Sequence, residues 1–183
     1  IVAEELHLDS ESIVAALLHD TIEDTEATHE QLAKLFSPTI ADLVEGVSKL
    51  TRVHYTSKEE EQMEILRKML MAMSKDIRVI LIKIADRLHN TRTMQYQSPA
   101  KQISKSRETM DIYAPIAQRL GISKVKNELD DLSLKYLEPE AYYDLKEQIA
   151  EKRSVREAFV QRIVAEVKNH MDNAGIEAHV DGR

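Results

Sequence analysis

Apolar residues along this chain recur at helical spacing. Ile13, Val14, Leu17 and Leu18 form one stripe. Ile40, Leu43, Val44, Val47 and Leu50 form a second, and Met63, Leu66, Met69, Leu70 and Met73 a third. Steps of three and four place such residues on one helix face, where they pack into a core. The Met stripe reads as core packing, because a flexible thioether fills irregular gaps. Val79-Ile80-Leu81-Ile82 has the composition of a buried strand. It runs without a breaker into Lys83-Ile84-Ala85-Asp86-Arg87-Leu88, and that length favours a fully buried helix. Near the end the period changes: Ile176, Ala178 and Val180 alternate with Glu177, His179 and Asp181, as at the start of a strand.

Start and stop signals divide these stripes. Thr28-x-x-Gln31, Ser57-x-x-Glu60 and Ser154-x-x-Glu157 have the form of capping boxes. Pro38, Pro99 and Pro139 stand at first helical positions, where a missing N–H costs nothing. Gly121 and Gly175 stand where helices would stop in a left-handed cap. The polar stretch Arg52–Lys58 reads as a loop, and Ile1-Val2-Ala3 reads as the interior of a helix. The expectation is an all-α domain over residues 1–135, two helices over 136–175, and a new structure opening at 176–183. The abrupt start further suggests a piece of a longer protein.

Composition narrows the functions. Hydrophobic residues make up 43% of the chain and charged residues 31%, with four Gly and four Pro, a helical balance. The net charge of −7 argues against a general nucleic-acid binder, which needs a basic surface. It leaves room for a local basic pocket. With no cysteine, disulfides, thiolate ligands and Cys nucleophiles are excluded. No apolar run approaches the roughly 18–20 residues that span a bilayer, and a cytoplasmic location is expected.

Two segments carry candidate chemistry. In Leu18-His19-Asp20-Thr21-Ile22-Glu23-Asp24-Thr25, helical spacing would set His19 over Glu23 and Asp20 over Asp24. Three carboxylates this close repel one another unless a cation binds or one is protonated. Imidazole with carboxylates suits Mn, Fe, Co, Ni or Zn better than calcium. The bland alternative is a solvated acidic helix end, but acids at a helix C-terminus oppose the macrodipole. In the second segment, Asp86, Asn90 and Thr93 share a helical face. Asp86 emerges from an apolar run and needs a metal, or a partner such as Lys83 or Arg87.

His19-Asp20 followed at a distance by Asp86 resembles the H…HD…D signature of HD-type phosphohydrolases. AALLHDTIEDT, LRKMLMAMSKDIRVILIKIADRLHNTRT and YAPIAQRLGISKVKNELDDLSLKYL further resemble the hydrolase domain of the RelA/SpoT-type enzymes, which make and destroy (p)ppGpp. The resemblance covers nearly the whole chain, and Gly182-Arg183 looks like the opening of that family's synthetase domain. It implies an HD-domain helical bundle, linker helices, and a strand leading into a synthetase beyond this chain. It assigns His19, Asp20 and Asp86 as ligands of one manganese ion and Glu23 and Asp24 as the catalytic pair. It assigns Asn90 and Thr93 to nucleotide binding, where Lys83 and Arg87 would neutralise phosphates unless they serve as structural ion-pair partners. The implied reaction is hydrolysis of the 3′-pyrophosphate of ppGpp or pppGpp, with the synthetase domain as partner in cis. The alternative is a catalytically impaired module that binds nucleotide or regulates the synthetase.

The resemblance also implies a fourth ligand, a His followed by Pro, upstream of Ile1. His7 does not replace it and reads as a surface or cap residue. His89 reads as structural as readily as chemical, His29 sits inside a capping box on an exposed turn, His54 falls in the expected loop, and His170 and His179 lie outside the hydrolase segment. A protein extended upstream is therefore expected to hydrolyse substrate much faster than this chain in a manganese-dependent assay. Equal turnover by the two would overturn that expectation.

Overall fold

The structure, a computed structural model, describes residues 1–51 and 58–179. Every regular element among them is helical, as the stripes require. The order is α1 (Ser10–Leu18), α2 (Thr21–Asp24), α3 (His29–Leu35), α4 (Pro38–Thr51), α5 (Lys58–Lys75) and α6 (Ile77–Arg92). A 3-10 turn (Met94–Tyr96), α7 (Pro99–Glu108), a π turn (Thr109–Tyr113), α8 (Ala114–Arg119), α9 (Ser123–Leu137) and α10 (Pro139–Asn173) follow. The chain forms two compact units, Ile1–Leu137 and Glu138–Arg183.

Local chemistry explains the boundaries. Asp9 caps α1 by accepting from Ser12 N–H, and Asp76 caps α6 by accepting from Arg78 N–H. Thr28 and Gln31 complete a capping box at α3. Pro99 and Pro139 open α7 and α10, while Gly121 and Gly175 adopt positive φ after α8 and α10.

Helix α6 is the axis of the first unit, packing against α1, α4, α5 and α9. Ile80, Ile82, Ile84 and Leu88 are all fully buried, which is why this stretch is hydrophobic on nearly every side. The second stripe fulfils its pattern: Ile40, Leu43, Val44, Val47 and Leu50 line the core face of α4. Helices α4 and α6 approach at Gly46, where a Cβ would meet Val79 Cγ2 at 2.8 Å.

At the helix starts, Arg78 joins three acids. Its guanidinium grips Asp76 (Nη2–Oδ2 2.7 Å) and reaches Asp9 (2.9 Å) and Glu11 (3.4 Å). One cation thus ties the N-cap of α1 to the N-cap of α6. From that tie it is ten residues from Asp9 to His19 and ten from Asp76 to Asp86, advances of about 15 Å each at 1.5 Å per residue. The two helices therefore run side by side in one direction, and their far ends bring His19 to Asp86.

Several expectations need correction. Residues Ile1–Leu6 form hydrogen-bonded turns instead of a helix interior, and His7 is exposed at φ 52°. In the first stripe Leu17 is 80% exposed, and the buried positions of α1 are Ser12 and Ala15. In the Met stripe Met69 is buried and Met73 half-buried, but Met63 is 75% exposed. The two helices expected after residue 135 are one helix, α10, with Ser154 inside it. A capping pattern stops nothing where no Gly or Pro interrupts good helix formers. Ile176–His179 show no strand, and residues 180–183 lie outside the described residues, as do Ser57 and His54 and most of the expected loop at Arg52–Lys58.

The Gly46 contact yields a prediction. Valine in a helix has one favoured rotamer, so Gly46→Ala forces α4 and α6 apart. Overpacking of about 1–3 kcal/mol outweighs about 1 kcal/mol of helix propensity, and denaturant melts should show net destabilisation. In a Val79→Ala background the same substitution should be neutral or stabilising. Destabilisation undiminished in that background would refute the contact.

Candidate active site

Helix α1 does not continue through the acidic segment as expected. It ends at Leu18, with His19 as its C-cap, and the short α2 begins after Asp20. Asp24 N–H still bonds back to Asp20 O (2.8 Å), but Glu23 N–H also goes to Asp20 O (3.0 Å) and so makes no turn with His19. The column of His19 over Glu23 is thereby lost. The break turns His19 inward instead. Its Nδ1–H donates to Ala16 O at 2.8 Å, since a carbonyl can only accept. Nε2 is left facing Asp20 Oδ2 at 3.0 Å and Asp86 Oδ1 at 3.5 Å.

Asp86 sits mid-way along α6, largely buried. Lys83 Nζ contacts its Oδ2 at 3.0 Å, and Asn90 Nδ2 donates to its Oδ1 at 2.7 Å. Burial works to raise the Asp86 pKa, but His19 and Lys83 outweigh it and hold the carboxyl well below the usual range. The hydrogen bond to Asp86 raises the His19 pKa against the opposing effect of burial. Burial opposes the charge on Lys83 too, and Asp86 more than compensates, so its pKa rises. The cluster is a charged network that its members sustain mutually.

Asp20, Lys83, Asp86 and Asn90 line a cavity of 430 Å³, and His19 stands behind the two carboxylates. Arg87, Met94, Gln97, Lys101, Lys105, Glu108 and Tyr113 line it as well. Arg87 is almost wholly buried. It pairs with Glu108 (Nη2–Oε1 2.7 Å) and stacks 4.1 Å above the Tyr113 ring, which makes it a structural partner in the wall. Thr93 caps α6 and donates its hydroxyl to His89 O and Asn90 O. Thr93, half-buried Glu23 and exposed Asp24 are not among the cavity's lining residues. His29 pairs with Asp42 at 2.8 Å, while His89, His170 and His179 are exposed.

One imidazole nitrogen with two carboxylates suits a borderline divalent cation. The Ala16 bond fixes the tautomer that leaves Nε2 free to ligate, as an outer partner of a metal-binding His does. By that chemistry His19, Asp20 and Asp86 fit a metal. They do not form a closed cage, however. Among the described residues no three His, Asp or Glu side chains converge as one, and the carboxylates here turn to His19, Lys83 and Asn90.

Residues 1–123 match the HD domain family. The chain belongs to that family. Over 179 residues, 98% of its length, this HD domain chain is 48% identical to a guanosine-3′,5′-bis(diphosphate) 3′-pyrophosphohydrolase of Haemophilus influenzae. The same identity and coverage relate it to the bifunctional (p)ppGpp synthase/hydrolase SpoT of Escherichia coli K12. It is 46% identical over 182 residues to a GTP pyrophosphokinase of Myxococcus xanthus. The chain spans about a quarter of these relatives' length, 26%, 26% and 24%.

Sequence reasoning passed over Lys101, Lys105, Glu108 and Tyr113. The i, i+4 spacing of Lys101 and Lys105 was a usable signal, but only the fold shows that their helix faces α6. The Arg87–Glu108 pair carries a prediction. Burial raises the Glu108 pKa, Arg87 and Lys105 lower it more, and the net direction is down. A depressed carboxylate contributes stability above its unfolded value near 4.5 and loses it as pH falls through the folded value. Glu108→Gln should cost about 3 kcal/mol near pH 7, because Arg87 stays buried without its partner. The deficit should shrink below about pH 4.5 in urea melts. A deficit independent of pH would exclude this pair as its source.

Proposed function

We propose that this chain carries a site that hydrolyses the 3′-pyrophosphate of (p)ppGpp, yielding GDP or GTP and pyrophosphate. The carrying observation is His19 Nε2 facing Asp20 and Asp86, two carboxylates that line a cavity with four cationic residues. The activities named for the Haemophilus and Escherichia relatives support it.

His19, Asp20 and Asp86 would hold a divalent ion, manganese in this reading, which would supply an activated water and offset charge on the phosphoryl oxygens. The protein does the rest. Ala16 O holds the His19 tautomer and ring orientation. Lys83 stands beside Asp86 and offers its ammonium to a phosphoryl oxygen. Asn90 and Thr93 hold the nucleoside, with Arg87 supporting the wall through Glu108. Water attacks phosphorus, the bond to O3′ breaks, and O3′ must gain a proton to leave. Glu23 and Asp24 orient the water and deliver that proton. Both stand on α2, directly after His19 and Asp20 in the chain, Glu23 half-buried and Asp24 exposed. The partner in this reading is a synthetase domain in cis, in a cytoplasmic protein, with no direct nucleic-acid binding by this chain. No helix among the described residues is long and apolar enough to cross a membrane.

The test is pyrophosphate release from ppGpp by the full-length protein with manganese. Chelation should abolish release, and His19→Ala or Asp86→Asn should lower it by about a hundredfold or more, with helical circular dichroism retained. Glu23→Gln and Asp24→Asn should lower kcat more than they raise KM. Nucleotide binding without release would favour the regulatory module instead. Undiminished release by His19→Ala would overturn the assignment.

A further inference from the structure

The cavity holds more positive charge than hydrolysis at one phosphorus requires. Lys83 pairs with Asp86 and serves the reacting phosphoryl group in the proposed mechanism, and Arg87 and Lys105 share Glu108, Lys105 at 2.9 Å. Lys101 differs. It lines the same cavity, its side chain is exposed, and no acidic partner is recorded for it among the described residues. Local helix stability does not explain it. Lys101 lies in the first turn of α7, where a cation opposes the helix dipole and where no acidic residue stands. Its position is favourable when an anion sits beside it. The chain as a whole carries a net charge of −7, so this local excess of cations is not a general surface property.

Placement gives the anion its identity. Asp20 and Asp86 approach the cavity from the α1–α2 break and from α6, while Lys101 and Lys105 approach it from α7. A substrate whose 3′-phosphates meet His19, Asp20 and Asp86 needs separate neutralisation for any second phosphate chain. We infer that Lys101, flanked by Lys105, holds the 5′-diphosphate of the nucleotide while the 3′ end is hydrolysed. This inference rests on the proposed hydrolase reading and extends it to substrate selection. Lys101 is a specificity residue. It grips a group that does not react, so its energy is spent equally on ground and transition states. Lys105 contributes less, because an anion must share it with Glu108.

Calorimetric titration of the 183-residue chain with GDP, GMP and guanosine tests this. Exposed Lys101 can be replaced without disturbing the core. Lys101→Gln should weaken GDP binding about tenfold, the effect of losing one hydrogen bond to a charged group. GMP should lose less, guanosine should be unaffected, and Lys101→Arg should restore GDP binding to within about twofold. The GDP affinity of the unaltered chain should fall with added salt more steeply than that of Lys101→Gln. Equal GDP affinity in the unaltered and Gln chains overturns the inference, as does an equal loss for guanosine. So does a failure of the unaltered chain to bind GDP. None of these outcomes bears on pyrophosphate release, which judges the hydrolase reading separately.

Discussion

A carboxylate on a helix that is apolar on nearly every side must be compensated, and in this chain Asp86 sets that demand. Burial alone would favour its neutral form. Lys83 from its own helix and His19 from α1 supply what keeps it charged. The acid is stable only where α1 delivers an imidazole, and α1 delivers it only if its register against α6 is right. Arg78 fixes that register at the opposite end by joining the two N-caps. A surface-side ion cluster and a buried one are thus joined by two parallel helices, and the candidate site is their product.

The walls of the cavity follow the same rule. Arg87 is buried because Glu108 and the Tyr113 ring receive it. Those partners come from α7 and the π turn, so the cavity closes only after the second half of the first unit has packed. Unlike the network at Asp86, this one contains no imidazole, and its acid is shared between two cations, Arg87 and Lys105.

Much of this was legible from residue patterns. The stripe on α4, the buried run of α6 and the caps at Thr28 and Gly121 depend on neighbours a few positions away, and local rules capture them. The family resemblance grouped His19, Asp20 and Asp86, and the fold brings the three side chains within 3.0–3.5 Å of one another through His19 Nε2. What escaped were effects of distance. Leu17 and Met63 fit an apolar stripe, yet both stay exposed. The acidic segment read as one helix because His19 and Asp20 are compatible with helix, and no local signal marks the break at Leu18. Lys101 carries no local signal of its place beside the cavity.

Between α7 and α8 the chain winds one turn too wide, with Ala114 N–H reaching back five residues to Thr109 O. Such a turn holds an extra residue without breaking the rod. Each residue advances a helix by about 100°, so the widening resets the phase between everything before Thr109 and everything after Tyr113. Tyr113 is locked into the core, and Lys101, Lys105 and Glu108 precede the reset. Losing a single residue here would leave the helix intact and rotate all three off the cavity by more than a quarter turn. The insertion works as an angular setting, and the identity of its side chains matters less than their number.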